Sequence, residues 1–173
     1  LGDALQLVRY LPMVTAMGGP IVLQVQPALV PLLREMAGVT VVSRGEPLPP
    51  FDLQLPMMGL PRVFGTELDT IPAPVAYLPP DPAQLARWRA ALGDTGALKV
   101  GVVWAGNPLH KGDRQRTLPS DALLPRLITL GVQLYSLQKE LRPEDAAVLA
   151  ALGPDMIDLA PALGDFADTA AAV

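Results

Sequence analysis

Several residue types are absent or scarce in this sequence, and each shortage excludes or disfavours a class of site. The 173 residues include no cysteine and only one histidine, His110. Disulfides and cysteine-ligated zinc are therefore excluded, and a metal site or a catalytic triad built on histidines is disfavoured. No apolar run reaches the roughly 18 residues that a membrane span needs. Because no signal peptide is visible either, we expect a cytoplasmic protein.

Charge is also scarce, which argues against a nucleic-acid partner. Charged residues make up 17% of the chain, the formal net charge is −4, and no basic stripe is present. Hydrophobic residues make up 50%, which is ample for a packed core. Proline is abundant instead, at 20 residues, with a cluster between positions 47 and 82 that predicts long ordered connections.

Apolar periodicity alternates between helical and strand spacing along the chain. The pattern predicts helices at 3–16, 27–36, 82–92, 119–130 and 143–152, and a helical start at 165. It predicts strands at 21–25, 39–42, 51–55, 98–104, 133–136 and 156–159. This order predicts the α/β class, with parallel sheets and right-handed crossovers. We expect two Rossmann-like lobes, 1–94 and 95–173, with the boundary near 94–97.

The two ends of the sequence carry an expectation of their own. The chain starts at Leu1 rather than at a methionine, and it ends inside a helical pattern. We therefore expect that both ends are cut and that the second lobe is incomplete.

The stretch VGVVWAGNPLHKGDRQRTLP, residues 100–119, stands out as a strand, a glycine-containing loop and a helix start. The loop is polar and basic. Ligands of open α/β sheets bind outside the carboxyl ends of the strands, and free N–H groups at a helix start favour anions. A site for a phosphate-bearing ligand and a merely solvated loop both fit this pattern. The stretch matches neither the Walker A motif nor the dinucleotide fingerprint.

Gln138 and Lys139 directly follow the next predicted strand. If the two strands are neighbours in the sheet, Lys139 lies near the loop that contains Gly106, Asn107 and Arg116. Together these residues would form a cationic, hydrogen-bonding pocket for a diphosphate. The alternative is a lysine at a strand end that only contacts solvent.

Two further candidates, Asp3 and His110, each have a functional and a structural interpretation. Asp3 lies at the start of the first predicted helix, where a carboxylate either caps the helix or acts in chemistry. His110 either orients a phosphate or a sugar hydroxyl, or is simply exposed in its loop.

Taken jointly, these segments resemble a known family. WAGNPLHKGDRQRTLP, followed by SLQK and preceded by LGDALQLVRYLP, resembles the glycosyltransferase-like domain that follows tetratricopeptide repeats in many bacterial proteins. That domain is similar to the heptosyltransferases of glycosyltransferase family 9 and, more distantly, to O-GlcNAc transferases. The resemblance implies a GT-B fold, which consists of two Rossmann-like lobes with the active site between them.

The resemblance also implies roles for individual residues. The Gly-Asp motif that carries the catalytic base in heptosyltransferases matches Gly2 and Asp3. Their lysine that contacts donor phosphate, three positions before a proline, matches Arg116. Gln138 and Lys139 resemble the glutamine and lysine that hold the diphosphate in O-GlcNAc transferases.

The resemblance finally implies an activity and its partners. It implies sugar transfer from a nucleotide-sugar donor to a hydroxyl of a protein or glycan acceptor, with no metal, and with tetratricopeptide repeats in the same full-length chain. A non-catalytic GT-B-like scaffolding module is the alternative. Since part of the family's donor site lies beyond these residues, we expect the fragment itself to be inactive.

Overall fold

The computed structural model describes residues 1–74, 76–78 and 80–173. Within them the protein is a mixed α/β molecule with parallel sheets, as the element order predicted. The chain divides into two compact units. The first is Leu1–Leu85 with Asp165–Ala171, and the second is Ala86–Gly164 with Ala172–Val173. The predicted lobes 1–94 and 95–173 stay a prediction.

The first unit opens with a helical region that proline interrupts. Helix α1 spans Gly2–Leu7, a 3₁₀ turn spans Val8–Tyr10, and α2 spans Leu11–Ala16. Pro12 explains the break, because it has no N–H to donate to the carbonyl of Val8 and its ring crowds that carbonyl. The single helix predicted at 3–16 is therefore two short helices.

The sheet of the first unit pairs strand β1, Ile21–Val25, in parallel with β2, Val39–Ser43. A 3₁₀ turn at Pro27–Leu29 and helix α3 at Val30–Leu33 connect the two strands. Apolar side chains of these elements and of the helical region before them form one core, in which three residues are completely buried: Val8, Leu29 and Leu33.

A long connection follows, and one prediction for it is wrong. Residues 51–55 form no strand, and Leu53 is 91% exposed. The alternating pattern finds no partner strand there, and prolines at 49, 50 and 56 supply no N–H for pairing. A 3₁₀ turn at Met57–Gly59 leads into helix α4, Leu60–Val63.

Helix α5, Pro82–Leu92, has the bounds that the sequence predicted. Asp81 caps it, because its Oδ1 accepts hydrogen bonds from the backbone N–H groups of Ala83 and Gln84. The division between the two units falls inside this helix.

The second unit contains a parallel sheet of order β3-β4-β5 within the described residues. These strands span Lys99–Val102 (β3), Gln133–Ser136 (β4) and Met156–Asp158 (β5). After β3 come the one-turn helix α6, Asp113–Arg116, and helix α7, Ser120–Ile128; helix α8, Pro143–Leu152, follows β4. Trp104, Leu124 and Leu134 lie in the core of this unit.

The last helix, α9, spans Phe166–Ala172. Ala167, in its first turn, belongs to the same core as Leu29 and Leu33 of the first unit. In the part of the chain that the structure describes, no helix combines the length and apolar character required to cross a membrane.

Candidate functional site

A groove of about 560 Å³ lies where β3 and β4 of the second unit end. Gly106 and Asn107, from the loop after β3, line it together with Gln138 and Lys139, from the loop after β4. These loops meet because β3 and β4 are parallel neighbours, with Val102 paired to Ser136 in the register. Four of the sequence-predicted site residues therefore share one groove.

Gln138 connects the two loops through hydrogen bonds. Its Oε1 accepts from the backbone N–H groups of Trp104 at 3.2 Å and Ala105 at 3.0 Å, and its Nε2 donates to the carbonyl of Glu140 at 3.2 Å. The side chain is 6% exposed. Its carbonyl oxygen therefore shapes the β3 loop, and at most one N–H of its amide stays available to a ligand.

Lys139 turns its ammonium group toward the segment after β5. Its Nζ donates to the carbonyls of Ala160, at 3.3 Å, and of Leu163. An ammonium group has three N–H donors, so one remains for a ligand in the groove. Glu140 lines the same groove with a carboxylate, which offsets part of the lysine charge.

Arg116, at the end of α6, lies against the glycine of the loop. A Cβ built on Gly106 would approach Nη2 of Arg116 to 2.9 Å, closer than ordinary packing allows. A side chain at Gly106 would therefore require the guanidinium to shift. Arg116 is exposed, and no carboxylate forms an ion pair with it among the described residues.

Asn107 and His110 both hold the loop by local hydrogen bonds. Oδ1 of Asn107 accepts from the N–H of Leu109 at 2.9 Å, and Nδ1 of His110 accepts from the N–H of Gly112 at 3.0 Å. The acceptor role of Nδ1 leaves the proton of the neutral ring on Nε2. His110 lines a neighbouring groove rather than the one of Lys139.

That neighbouring groove, of about 520 Å³, contains an ion pair that the sequence analysis missed. Nη2 of Arg142 lies 2.5 Å from Oδ2 of Asp113 and donates to Oγ1 of Thr117 at 3.2 Å. The hydroxyl of Thr117 donates in turn to Oδ1 of Asp113 at 3.2 Å. Asp113 is 7% exposed, so the carboxylate is desolvated and needs this partner.

No sequence signal pointed to this pair, because 29 positions separate its members. The only local hint was the acidic Asp113 inside an otherwise basic loop. The pair ties the loop after β3 to the start of α8, and α6 carries Arg116 on that loop.

Asp3 lies in the first unit, in the first turn of α1. It is exposed, and it does not cap the helix, because Leu1 occupies the capping position and no side chain makes a capping bond there. The alternative role as a simple cap is therefore not realised.

The chain is similar to protein FlbA of Caulobacter vibrioides, with 35% identity over 112 residues. The match covers 61% of this chain and 19% of FlbA, so the chain spans about a fifth of that relative's length. No protein-family model matches the chain, and no solved structure matches it.

Proposed function

We propose that this chain is a GT-B-like glycosyltransferase domain that transfers a sugar from a nucleotide-sugar donor to an acceptor hydroxyl. The observation that carries the proposal is the groove at the carboxyl ends of β3 and β4, where Gly106, Asn107, Gln138 and Lys139 meet. This edge of a parallel sheet is where α/β proteins bind nucleotides.

The donor's diphosphate is the group that this chemistry suits. Negative charge grows on the leaving diphosphate during transfer, and fixed cations and N–H donors stabilise it. Lys139 and Arg116 supply the cations, Asn107 supplies an amide, and Gly106 lets the backbone approach closely. His110 and Gln138 shape the two loops. In this proposal no metal is needed, because side-chain cations take its place.

Asp3 is the proposed general base, which accepts the proton of the acceptor hydroxyl. The acceptor is a protein or a glycan, and tetratricopeptide repeats belong to the same bacterial, cytoplasmic full-length protein. Nucleic acid has no part in the proposal, in keeping with the net charge of −4.

A second candidate, a non-catalytic binding module of the same fold, is favoured by two observations. Two N–H donors of Lys139 already bond to carbonyls of the chain, and Oε1 of Gln138 already accepts two backbone bonds. A scaffold with these loops would keep its shape and would not need Asp3.

A thermal-shift screen of the full-length protein against UDP-, ADP-, GDP- and CMP-sugars tests the proposal. We expect one nucleotide family to raise the melting temperature, because a ligand that binds only the folded state stabilises it. Lys139→Met and Arg116→Met should reduce that rise, whereas Arg126→Met, an exposed arginine on α7, should not. If no nucleotide sugar stabilises the protein, or if all three variants respond alike, the proposed donor site is wrong.

A further inference from the structure

A separate groove of about 350 Å³ lies in the first unit, away from the residues of the proposed donor site. Its walls come from the end of α1, the 3₁₀ turn after it, and the segment from Pro61 to Ile71. The volume is at the small end of ligand pockets. Its apolar lining comes from Leu7, Pro61, Leu68 and Ile71.

Arg9 places a fixed cation in this groove. Its Nε donates to the carbonyl of Gln6 at 2.8 Å, and its guanidinium lies 4.9 Å from the ring centre of Tyr77. Its two Nη groups make only long contacts of 3.4 Å, to the carbonyl of Pro72 and the hydroxyl of Tyr77. These contacts orient the guanidinium and leave some of its five N–H donors for a ligand.

No carboxylate forms an ion pair with Arg9 in the described part of the chain. The side chain is half-buried, so its charge is screened less than that of a surface arginine. A carboxylate or phosphate that reached it would form charge-assisted hydrogen bonds, which are about twice as strong as neutral ones.

Tyr10 packs behind the wall of the groove beside Arg9. Tyr10 is 3% exposed, stacks on Phe64 with ring centres 6.1 Å apart, and shares a hydrogen bond of 3.1 Å with Thr66. The groove thus combines an apolar lining with one cation. This combination suits a ligand with a flat apolar body and one anionic end.

We propose that this groove binds small organic anions with an aromatic or similarly flat body, and that Arg9 holds the anionic group. The proposal goes beyond the proposed donor site and does not rest on it. Leu68 is 91% exposed, and such a ligand would bury part of its side chain. Glu67 also lines the groove, is exposed, and opposes the anion weakly.

Titration calorimetry with naphthoate, naphthalenemethanol and acetate tests the proposal on the whole chain. Naphthoate has both the flat body and the charge, whereas the other two probes each lack one of them. We expect naphthoate to bind at least about tenfold more tightly than either. Arg9→Met should weaken its binding by at least about tenfold, because charge-assisted bonds are lost. Glu67→Gln should strengthen it by about twofold.

Arg62→Met is the matched control, because Arg62 is an exposed arginine at the end of the neighbouring α4. It should leave the affinity for naphthoate unchanged. The proposal is overturned if naphthoate fails to bind at about 10 mM, a concentration that detects even very weak sites. Equal affinities for wild type and Arg9→Met also overturn it.

A measurement on the wild type keeps the test decisive if Arg9→Met does not fold. In ¹⁵N NMR spectra, naphthoate should shift the backbone signals of Gln6, Arg9 and Tyr10, and those of residues 66–71. Shifts confined to residues outside this groove would overturn the proposal.

Discussion

Gln138 shows at the scale of a single residue how one buried amide supports the proposed donor groove. It was predicted as a ligand-binding residue, and that role stays a prediction. The bonds that the structure gives it are internal: its Oε1 accepts two backbone N–H groups at the end of β3, and its Nε2 donates to Glu140. The side chain therefore holds the β3 loop in place beside the β4 loop.

We expect Gln138→Leu to destabilise the second unit. The substitution leaves the N–H groups of Trp104 and Ala105 without their acceptor in a buried place, and each orphaned group costs about 1–3 kcal/mol. The free energy of unfolding should fall by roughly 2–6 kcal/mol. Urea unfolding followed by tryptophan fluorescence measures this, because both tryptophans, Trp88 and Trp104, lie in the second unit.

Gln133→Leu is the control for this prediction. Gln133 is half-buried at the start of β4, and its Nε2 makes a single bond of 3.3 Å to the carbonyl of Leu134. Its loss should cost less than about 1 kcal/mol. Equal costs for the two variants would mean that the bonds of Gln138 do not stabilise the loop.

At the scale of elements, the ion pair of Asp113 and Arg142 joins α6 to the start of α8. Asp113 begins a helix of only four residues, which is too short to be stable by itself in water. We infer that α6, and with it Arg116, keeps its position through this pair and through Thr117.

Arg142→Met should therefore lower both the free energy of unfolding and the affinity of the groove for a nucleotide sugar. It leaves the buried carboxylate of Asp113 without its partner; the cost should be about 2 kcal/mol, below the 3–5 kcal/mol of fully buried pairs. The discount reflects the 27% exposure of the Arg142 side chain. Denaturant unfolding measures the stability, and the thermal shift by a bound nucleotide sugar measures the effect on the groove.

The double variant Asp113→Leu with Arg142→Met separates the charge effect from the packing effect. Replacing both partners removes the unpaired charge, so much of the lost stability should return. A double variant less stable than Arg142→Met alone would contradict an electrostatic origin of the loss.

The helices and strands themselves were largely predictable. The predicted bounds of β1, α5, β4 and α8 agree with the structure. Proline marks the start of three of them, at Pro20, Pro82 and Pro143, and Gly131 precedes β4 by two residues. The strand predicted at 51–55 was wrong, since an alternating pattern becomes a strand only when a partner strand is available.

At the scale of the whole molecule, each of the two units has its own parallel sheet. The first contains Asp3, and the second contains Arg116 and Lys139. The proposed base and the proposed donor-binding cations belong to different units. Removing the base should therefore affect transfer without affecting donor binding.

Asp3→Asn in the full-length protein tests this separation of roles. The amide cannot accept the proton of the acceptor hydroxyl, so the transfer rate should fall roughly 10²–10⁴-fold, the usual range for a lost general base. The affinity for the donor should stay within a few-fold of wild type. A radiolabelled-sugar transfer assay and calorimetric titration of the donor measure the two quantities.

Asp52→Asn serves as the control, because Asp52 is an exposed carboxylate of the same unit. It should change neither rate nor affinity. Transfer by Asp3→Asn at nearly the wild-type rate would remove Asp3 from the proposed mechanism and favour the non-catalytic module.

The sequence by itself determined most of the helices and strands, the α/β class, and the position of two polar loops after consecutive strands. These features follow from local periodicity and from parallel topology, which brings the carboxyl ends of neighbouring strands to one edge. Only the tertiary structure decided what the side chains in those loops contact. Lys139 bonds to carbonyls after β5, and Asp113 pairs with Arg142 across 29 positions. Such contacts depend on which rotamers the surrounding packing allows, and no local pattern encodes them.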